Sequence, residues 1–218
     1  GSVQWYIQPK AFVAENVKGL MIGKAKGYLK LILEELQNTG YKVEARLLNS
    51  AYLDVAQKRE RIIFVGVRKD LGKLPCFPKP QKKIYNVIDV LKSLKKNNIN
   101  LSHHLNKQTA PKTYKSWSNI EAGRKFSDYT EKRGKITGFS HIKMNPYATL
   151  NTTTTSASIY HWTEPRTLSI DELKQCSGFP EDFLLEGSFV QQWERIARAV
   201  PPVMMKHIAS AVYKGILK

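Results

Sequence analysis

The chain has 218 residues, of which 42% are hydrophobic, and its 35 Lys and Arg outweigh 18 Asp and Glu to give a formal net charge of +17. This composition suits one large or two small globular units with a real core, and it favours a polyanionic partner, nucleic acid first. A basic protein without such a partner stays open as the alternative. No segment approaches the roughly 18 apolar residues of a membrane span, and no secretory signal is visible, so we predict no membrane association.

Residues 11–67 predict strand, helix, strand, loop and strand. Ala11–Val17 indicates a short buried strand, Lys18–Asn38 an amphipathic helix that stops before Gly40, and residues 41–47 a half-buried strand. The continuous apolar run of residues 62–67 indicates a central strand covered on both faces. The apolar stripe of the predicted helix consists of Met21, Ala25, Tyr28, Leu29, Ile32 and Leu36. Such an order is typical of the closing part of an open α/β sheet, which predicts an unpaired edge and possible self-association through it.

The second part of the chain predicts short helices around an irregular region. The proline-punctuated stretch 74–80 indicates a boundary, Tyr85–Leu94 a short helix, and Ser169 the cap of a helix through Gln175. Further helices are predicted over residues 191–199 and 203–217. Between residues 97 and 163 aromatic side chains stand singly among basic ones, which predicts a basic surface. The aromatic ones are Tyr114, Trp117, Phe126, Tyr129 and Phe139, and the basic ones are Lys112, Lys115, Arg124, Lys125, Lys132, Arg133 and Lys135.

Neither the cysteines nor the histidines form a ligand pattern. Cys76 and Cys176 lie far apart and match no disulfide framework or metal motif, which indicates a reducing cytosol. The adjacent His103 and His104 lack partners at ligand spacing. We therefore predict no metal site and structural roles for both cysteines.

Two short motifs carry candidate chemistry. Glu15, within Ala-Glu-Asn-Val-Lys-Gly-Leu, ends a predicted strand, where open α/β sheets place ligands. A carboxyl group there can bind a base or transfer a proton, although taken alone it is better explained as an acid facing the dipole of the following helix. In Gln-Lys-Arg-Glu-Arg, Arg59 and Arg61 point to one side, and their guanidinium groups suit phosphate or base acceptors. Alone, that run reads as a solvated charge cluster.

Together these motifs resemble the DNA cytosine-5 methyltransferase family. Pro165–Glu172, Gly178–Phe183 and Ile196–Pro202 follow them in the family's order, and the resemblance is strong over residues 10–70 and 164–213. It implies the C-terminal half of such an enzyme. The implied fold is α/β: an incomplete Rossmann-like sheet over residues 3–96 and 188–218, and a small irregular target-recognition domain over residues 97–187.

The family reaction implies a role for each matched residue. Cytosine is flipped out of the duplex, a cysteine thiolate attacks carbon 6, and carbon 5 takes a methyl group from S-adenosylmethionine. Glu15 would bind ring nitrogen 3 and the amino group, Arg61 the base oxygen 2, and Arg59 the nucleophile loop, against which Asn16 would pack. The residues expected at the DNA are Asn16, Gln57, Thr149, Leu150 and Arg166, where the Thr149–Leu150 match is weak because a polar loop explains it equally. Val200 would line the cofactor pocket, whereas Arg198 stands in place of a family Asn.

Two parts of the family pattern are not found in the sequence. There is no Gly-x-Gly cofactor loop and no Pro-Cys-Gln nucleophile segment. We therefore expect an N-terminal half to supply both, with double-stranded DNA as substrate in a bacterial cytoplasm, at the nucleoid. The alternative is a non-catalytic DNA-binding module or a truncated remnant, and a stand-alone enzyme ranks third.

Overall fold

The computed structural model describes residues 6–23, 25–92, 94, 104, 108, 111–130 and 141–218. The strands are β1 (Ala11–Val17), β2 (Tyr41–Asn49), β3 (Glu60–Arg68), β4 (Ile142–Lys143) and β5 (Ile159–Tyr160). The helices are α1 (Ala25–Asn38), α2 (Val87–Leu91), α3 (Pro111–Asn119), α4 (Phe126–Thr130), α5 (Ile170–Cys176), α6 (Phe189–Arg198) and α7 (Pro202–Val212). Outside the described residues lie His103 and four predicted members of the basic surface, Lys132, Arg133, Lys135 and Phe139; of the Tyr129 side chain nothing is described either.

The main sheet has three strands in the order β1-β3-β2, with both pairs antiparallel. β3 is central and buried over residues 62–67, as its apolar run predicted. One face of the sheet packs against α1, where Leu29 and Ile32 meet Phe64. The other face packs against α7. This two-sided cover explains why β3 lacks the apolar–polar alternation that β2 shows at its start.

Two predictions about the first elements were wrong in detail. β1 is only half-buried, and Glu15 and Val17 are exposed, because among the described residues no strand pairs with its outer edge. The predicted helix over Lys18–Asn38 is a 3₁₀ turn over Lys18–Met21 followed by α1. Gly23 between them has a φ of 58°, a left-handed conformation that ends the turn. The apolar stripe is therefore narrower than predicted, with Tyr28 65% exposed.

The helices of the second part lie close to their predicted positions. Ser169 caps α5, as predicted, and the structure shows that it does so in a capping box with Glu172. α6 begins two residues earlier than expected, because Ser188 caps it in the same way. α7 ends at Val212 and continues as a π-helical turn over Tyr213–Leu217. Within the described residues no helix is long and apolar enough to cross a membrane.

A second core joins the irregular region to α5 and α6. Trp193 of α6 is fully buried there, and its Nε1 donates to the Thr154 carbonyl at 3.0 Å. Leu150 and Ile159 belong to the same cluster. This packing holds residues 150–154 against the loop between β2 and β3, where the candidate site lies.

Candidate active site

The β1–β3 register brings Glu15 beside Arg61. Arg61 lies opposite Val17, so Glu15 and Arg61 are diagonal neighbours on one face of the sheet. Arg61 Nε lies 3.5 Å from Glu15 Oε2, with the side chains 12% and 31% exposed. Arg61 also donates from Nη1 to the Glu60 carbonyl at 2.8 Å. Arg61 Nε makes no hydrogen bond among the described residues, so the pair is held by charge, and the carboxylate remains partly exposed.

Arg59 lies behind this pair in the interior. It is 2% exposed, and its Nη2 donates to the Ala197 carbonyl at 2.6 Å, at the end of α6. Its Nε is buried without a hydrogen-bond partner among the described residues. Burial and, to a smaller extent, the charge of Arg61 lower the pKa of Arg59 to about 10, against the opposing effect of Glu15. The three predicted catalytic residues therefore form one electrostatic cluster.

Gln57 is an interior residue. It is 2% exposed, and its Nε2 donates to Thr153 Oγ1 at 2.7 Å and to Ser177 Oγ at 3.3 Å. The expected direct DNA contact is not supported, because the side-chain amide is already used to join the loop to the second core. Asn16 is half-buried beside Glu15, and its Oδ1 accepts from the Val17 amide at 2.8 Å.

Thr149 and Leu150 lie against the site loop. Leu150 donates from its amide to the Ala56 carbonyl at 2.9 Å and accepts from the Lys58 amide at 2.7 Å. Both residues are buried, and Thr149 Oγ1 donates to the Tyr85 carbonyl at 3.2 Å. They border an open cleft of about 190 Å³ whose polar lining includes Lys58, Asn145 and Asn151. The structure thus brings this pair next to the motif of Arg59, although it leaves little of either side chain free.

Arg166 is also placed differently from the prediction of a DNA contact. It is 1% exposed and forms a bidentate pair with Glu172, from Nη1 to Oε2 at 2.7 Å and from Nη2 to Oε1 at 2.9 Å. Its Nε donates to Glu164 Oε2 at 2.7 Å. With every face of the guanidinium paired, Arg166 organises the interior around the cap of α5 and does not reach a surface.

Val200 and Arg198 lie between α6 and α7. Val200 is half-buried and packs at the edge of the core between the sheet and α7. Arg198 is 71% exposed and pairs with Glu194 at 2.5 Å. Val200 therefore offers one apolar wall, whereas the guanidinium of Arg198 turns to solvent.

Burial makes Cys176 a poor candidate for a nucleophile. Cys176 is fully buried, and burial raises the pKa of its thiol, which leaves the thiolate scarce. Cys76 is half-buried and its Sγ lies 3.4 Å from the Leu74 carbonyl.

The hydrogen-bond partners of Gln57 were missed by sequence reasoning. Thr153 belongs to a Thr-rich run that predicts a polar loop, so the sequence does not indicate its burial. For Ser177, its position next to Gly178 is the one sequence signal.

Comparison with known proteins decides the family. The sequence model of the C-5 cytosine-specific DNA methylase family matches residues 6–214. The chain belongs to this family. The methylase chain is 31% identical over 217 residues to the type II methyltransferase M1.HphI of Haemophilus parahaemolyticus, covering 95% of this chain and 57% of that protein. It is 29% identical to M.NgoFVII of Neisseria gonorrhoeae, covering 94% of this chain and 59% of that protein. The chain thus spans less than two thirds of the length of these relatives.

Solved structures show the same fold. A DNA modification methyltransferase encoded within an E. coli prophage superposes with a TM-score of 0.78 at 16% identity, covering 99% of this chain and 72% of that one. The Entamoeba histolytica methyltransferase EhMeth gives 0.59 at 14% identity, covering 96% and 64%. The methylase chain therefore has an α/β fold similar to DNA methyltransferases, consistent with an incomplete Rossmann-like sheet.

Proposed function

We propose that this chain forms the base-activating and DNA-recognition part of a DNA (cytosine-5)-methyltransferase. The observation that carries the proposal is the cluster of Glu15, Arg61 and Arg59 at the open edge of the sheet. The cluster combines the partly exposed Glu15 carboxylate, the neighbouring Arg61 and the buried Arg59 behind them. Together they would bind a polar ring that accepts and donates hydrogen bonds.

The proposed chemistry follows from these groups. Glu15 would hold a proton at ring nitrogen 3 of a flipped cytosine and accept from the amino group, which withdraws electron density from carbon 6. Arg61, which now holds the Glu15 carboxylate at 3.5 Å, would offset the negative charge on oxygen 2. Both groups are placed by one strand pair and need no large movement to act together.

The cofactor loop and the nucleophilic cysteine would come from a further segment, on this polypeptide or on another. The support is the outer edge of β1, with which no strand pairs among the described residues. S-adenosylmethionine, when bound, would supply the methyl group. From this chain Val200 would give the pocket an apolar wall, while the remaining contacts would come from that segment.

Recognition of double-stranded DNA is proposed for the region 97–187, next to a catalytic part formed by residues 3–96 and 188–218. Lys112, Lys115, Arg124 and Lys125 are exposed there and can meet phosphates. Asn16 and the Thr149–Leu150 pair would border the DNA, whereas Gln57 and Arg166 would act from the interior by holding the loop and α5. The bacterial relatives favour a bacterial cytoplasm, at the nucleoid.

Methyl transfer from labelled S-adenosylmethionine to mixed-sequence DNA tests the proposal. The chain is assayed alone and with a segment that carries the cofactor loop and nucleophile. We expect activity in the mixture, and a loss of about 10²-fold or more for Glu15→Gln, since a positioned acid–base group contributes that much. The matched control is Glu44→Gln on β2, an exposed carboxylate paired with Arg46 at 3.0 Å, which should leave activity unchanged. An inactive mixture, or a fully active Glu15→Gln, would refute the proposal.

A non-catalytic DNA-binding module is the second candidate, favoured by the net charge of +17. In that case the chain would bind DNA in a salt-sensitive way, yet no added segment would produce methylation. Light scattering in the same buffers would show whether the open edge of β1 leads to self-association.

A further inference from the structure

Ser50 closes the loop that carries Gln57 and Arg59. It follows β2 directly and is 0% exposed. Its amide donates to the Arg59 carbonyl at 3.0 Å, and its carbonyl accepts from the amides of Leu53 and Val55 at 2.9 and 3.3 Å. One buried residue thus binds the beginning, the middle and the end of the loop.

The Ser50 hydroxyl adds two bonds that the backbone alone cannot make. Oγ donates to the Gln57 carbonyl at 2.5 Å and accepts from the Arg59 amide at 3.0 Å. Both partner residues are 2% exposed, so water cannot easily replace the hydroxyl. Without it, a buried acceptor and a buried donor would lose this partner.

The two residues held by the hydroxyl connect the loop to different parts of the molecule. The Gln57 amide joins Thr153 and Ser177, and the Arg59 guanidinium joins the Ala197 carbonyl at the end of α6. A shift of the loop at Ser50 would therefore move Arg59 relative to both Arg61 and Glu15.

We propose that Ser50 is a positioning residue for Arg59. The Ser50 hydroxyl fixes the backbone of Arg59, which keeps the Arg59 guanidinium beside Arg61 and Glu15. The inference rests on the proposed function for its catalytic consequence, but its structural part concerns this chain alone. Ser50→Ala removes the hydroxyl, and Ser50→Thr restores one. The matched control is Ser158→Ala, another buried serine, whose Oγ donates to the Ser156 carbonyl at 3.3 Å and touches neither Gln57 nor Arg59.

The first measurement follows the Arg59 guanidinium by carbon-13 NMR through its alkaline titration. We expect Ser50→Ala to raise the Arg59 pKa toward that of an exposed arginine, because burial is the main cause that lowers it and a displaced guanidinium is less buried. Ser50→Thr and Ser158→Ala should leave that pKa where it is. Should Ser50→Ala not fold, Ser50→Cys replaces it, since a thiol is a weaker donor. An unchanged Arg59 pKa in the folded variant would overturn the inference.

The second measurement uses the chain complemented as above for methyl transfer. We expect Ser50→Ala to lower kcat by about 10- to 100-fold with little change in KM for DNA, since misplacement of a site group costs that much. Ser50→Thr should recover most of the loss. Equal losses in Ser50→Ala and Ser158→Ala would show a stability effect only and overturn the inference. An inactive wild-type mixture would instead refute the proposed function, and the Arg59 titration would then decide the positioning role.

Discussion

Arg59 and Arg166 are both buried, yet their guanidinium groups are satisfied in different ways. Arg166 bonds to Glu172 and Glu164 through all three of its nitrogens. Arg59 makes one side-chain hydrogen bond, to the Ala197 carbonyl, and its Nε has none among the described residues. Full pairing of its buried charge suits Arg166 to a structural role, whereas the Arg59 guanidinium is only partly paired within the described residues.

His161 belongs to the same interior network as Arg166. Its Nδ1 accepts from the amides of Thr163 and Glu164 at 3.3 and 3.2 Å, and its Nε2 lies 3.8 Å from Glu172 Oε1. Burial lowers its pKa, Arg166 lowers it further, and Glu172 and Glu164 oppose them. The folded protein therefore keeps this imidazole neutral.

His161 should make stability depend on pH. Its pKa in the folded state lies below the ordinary 6.5, so the unfolded state takes up the proton first. The contribution of His161 to the free energy of unfolding is fully present above pH 6.5. It is lost as the pH falls from 6.5 to the pKa of the folded state. Because one proton is involved, the loss is no more than about 1.4 kcal/mol per pH unit. His161→Asn, whose Oδ1 can replace Nδ1 as acceptor, should flatten this part of the curve in urea unfolding. His141, whose pKa burial also lowers, should keep its own share. Identical curves for wild type and variant would contradict the assignment.

At the scale of elements, β1 and β3 fit together through a glycine. Gly66 of β3 lies opposite Phe12 of β1. A Cβ added at Gly66 would come within 2.1 Å of the Phe12 ring, which also packs edge-on against Tyr41 at a centroid distance of 5.1 Å. The missing side chain thus leaves room for the aromatic ring over the centre of the sheet.

Gly66→Ala should destabilise the chain by about 1–3 kcal/mol, because the added methyl group overpacks the Phe12 ring. Phe12→Leu in the same chain should recover part of the loss, which a double-mutant cycle in urea unfolding would measure. The control is Gly27→Ala on α1, where a Cβ meets nothing within 4 Å. That helix position should gain up to about 1 kcal/mol. Additive effects of Gly66→Ala and Phe12→Leu would show that the ring is not the cause.

At the scale of the whole molecule, charge and packing act on different properties. The net charge of +17 governs how the chain meets a polyanion and does not specify its fold. Packing joins the site loop to the sheet on one side and to the second core on the other, through Gln57 and Arg59. The site loop is thereby held in one body with the sheet and the second core.

DNA binding should fall steeply with salt. For about six phosphate contacts the affinity should drop about 10³-fold between roughly 50 and 200 mM salt. Lys58 is exposed at the cleft beside Asn151, and Lys58→Ala should reduce the slope of log K against log salt by about 0.9, the share of one phosphate. Lys30→Ala, which removes an exposed α1 lysine paired with Glu34 at 3.6 Å, should not change it. Anisotropy titrations at several salt concentrations measure both, and equal slopes for all three proteins would contradict a phosphate contact at Lys58.

Local patterns predicted most of the elements because they depend on neighbours in sequence. The continuous apolar run 62–67 favours a strand covered on both faces, and Ser169 favours the start of a helix. The predicted start of α1 was wrong because the apolar spacing continues across Gly23, although the left-handed backbone of Gly23 ends the 3₁₀ turn there. The burial of β1 was overestimated because periodicity says nothing about which edge has a neighbour.

By itself the sequence indicated the family and most of the strand and helix order, because these depend on residue types and short spacings, and it marked Glu15, Arg59 and Arg61 as the candidate site residues. Only the tertiary structure decided what Gln57 and Arg166 do. Both looked like polar groups available to DNA, but the fold buries them against Thr153, Ser177 and Glu172. The tertiary structure also decided the role of Ser50, because the far end of the loop folds back to place the Gln57 carbonyl and the Arg59 amide at its hydroxyl. Which polar group is free and which is already paired depends on contacts between distant residues, and no local pattern encodes that.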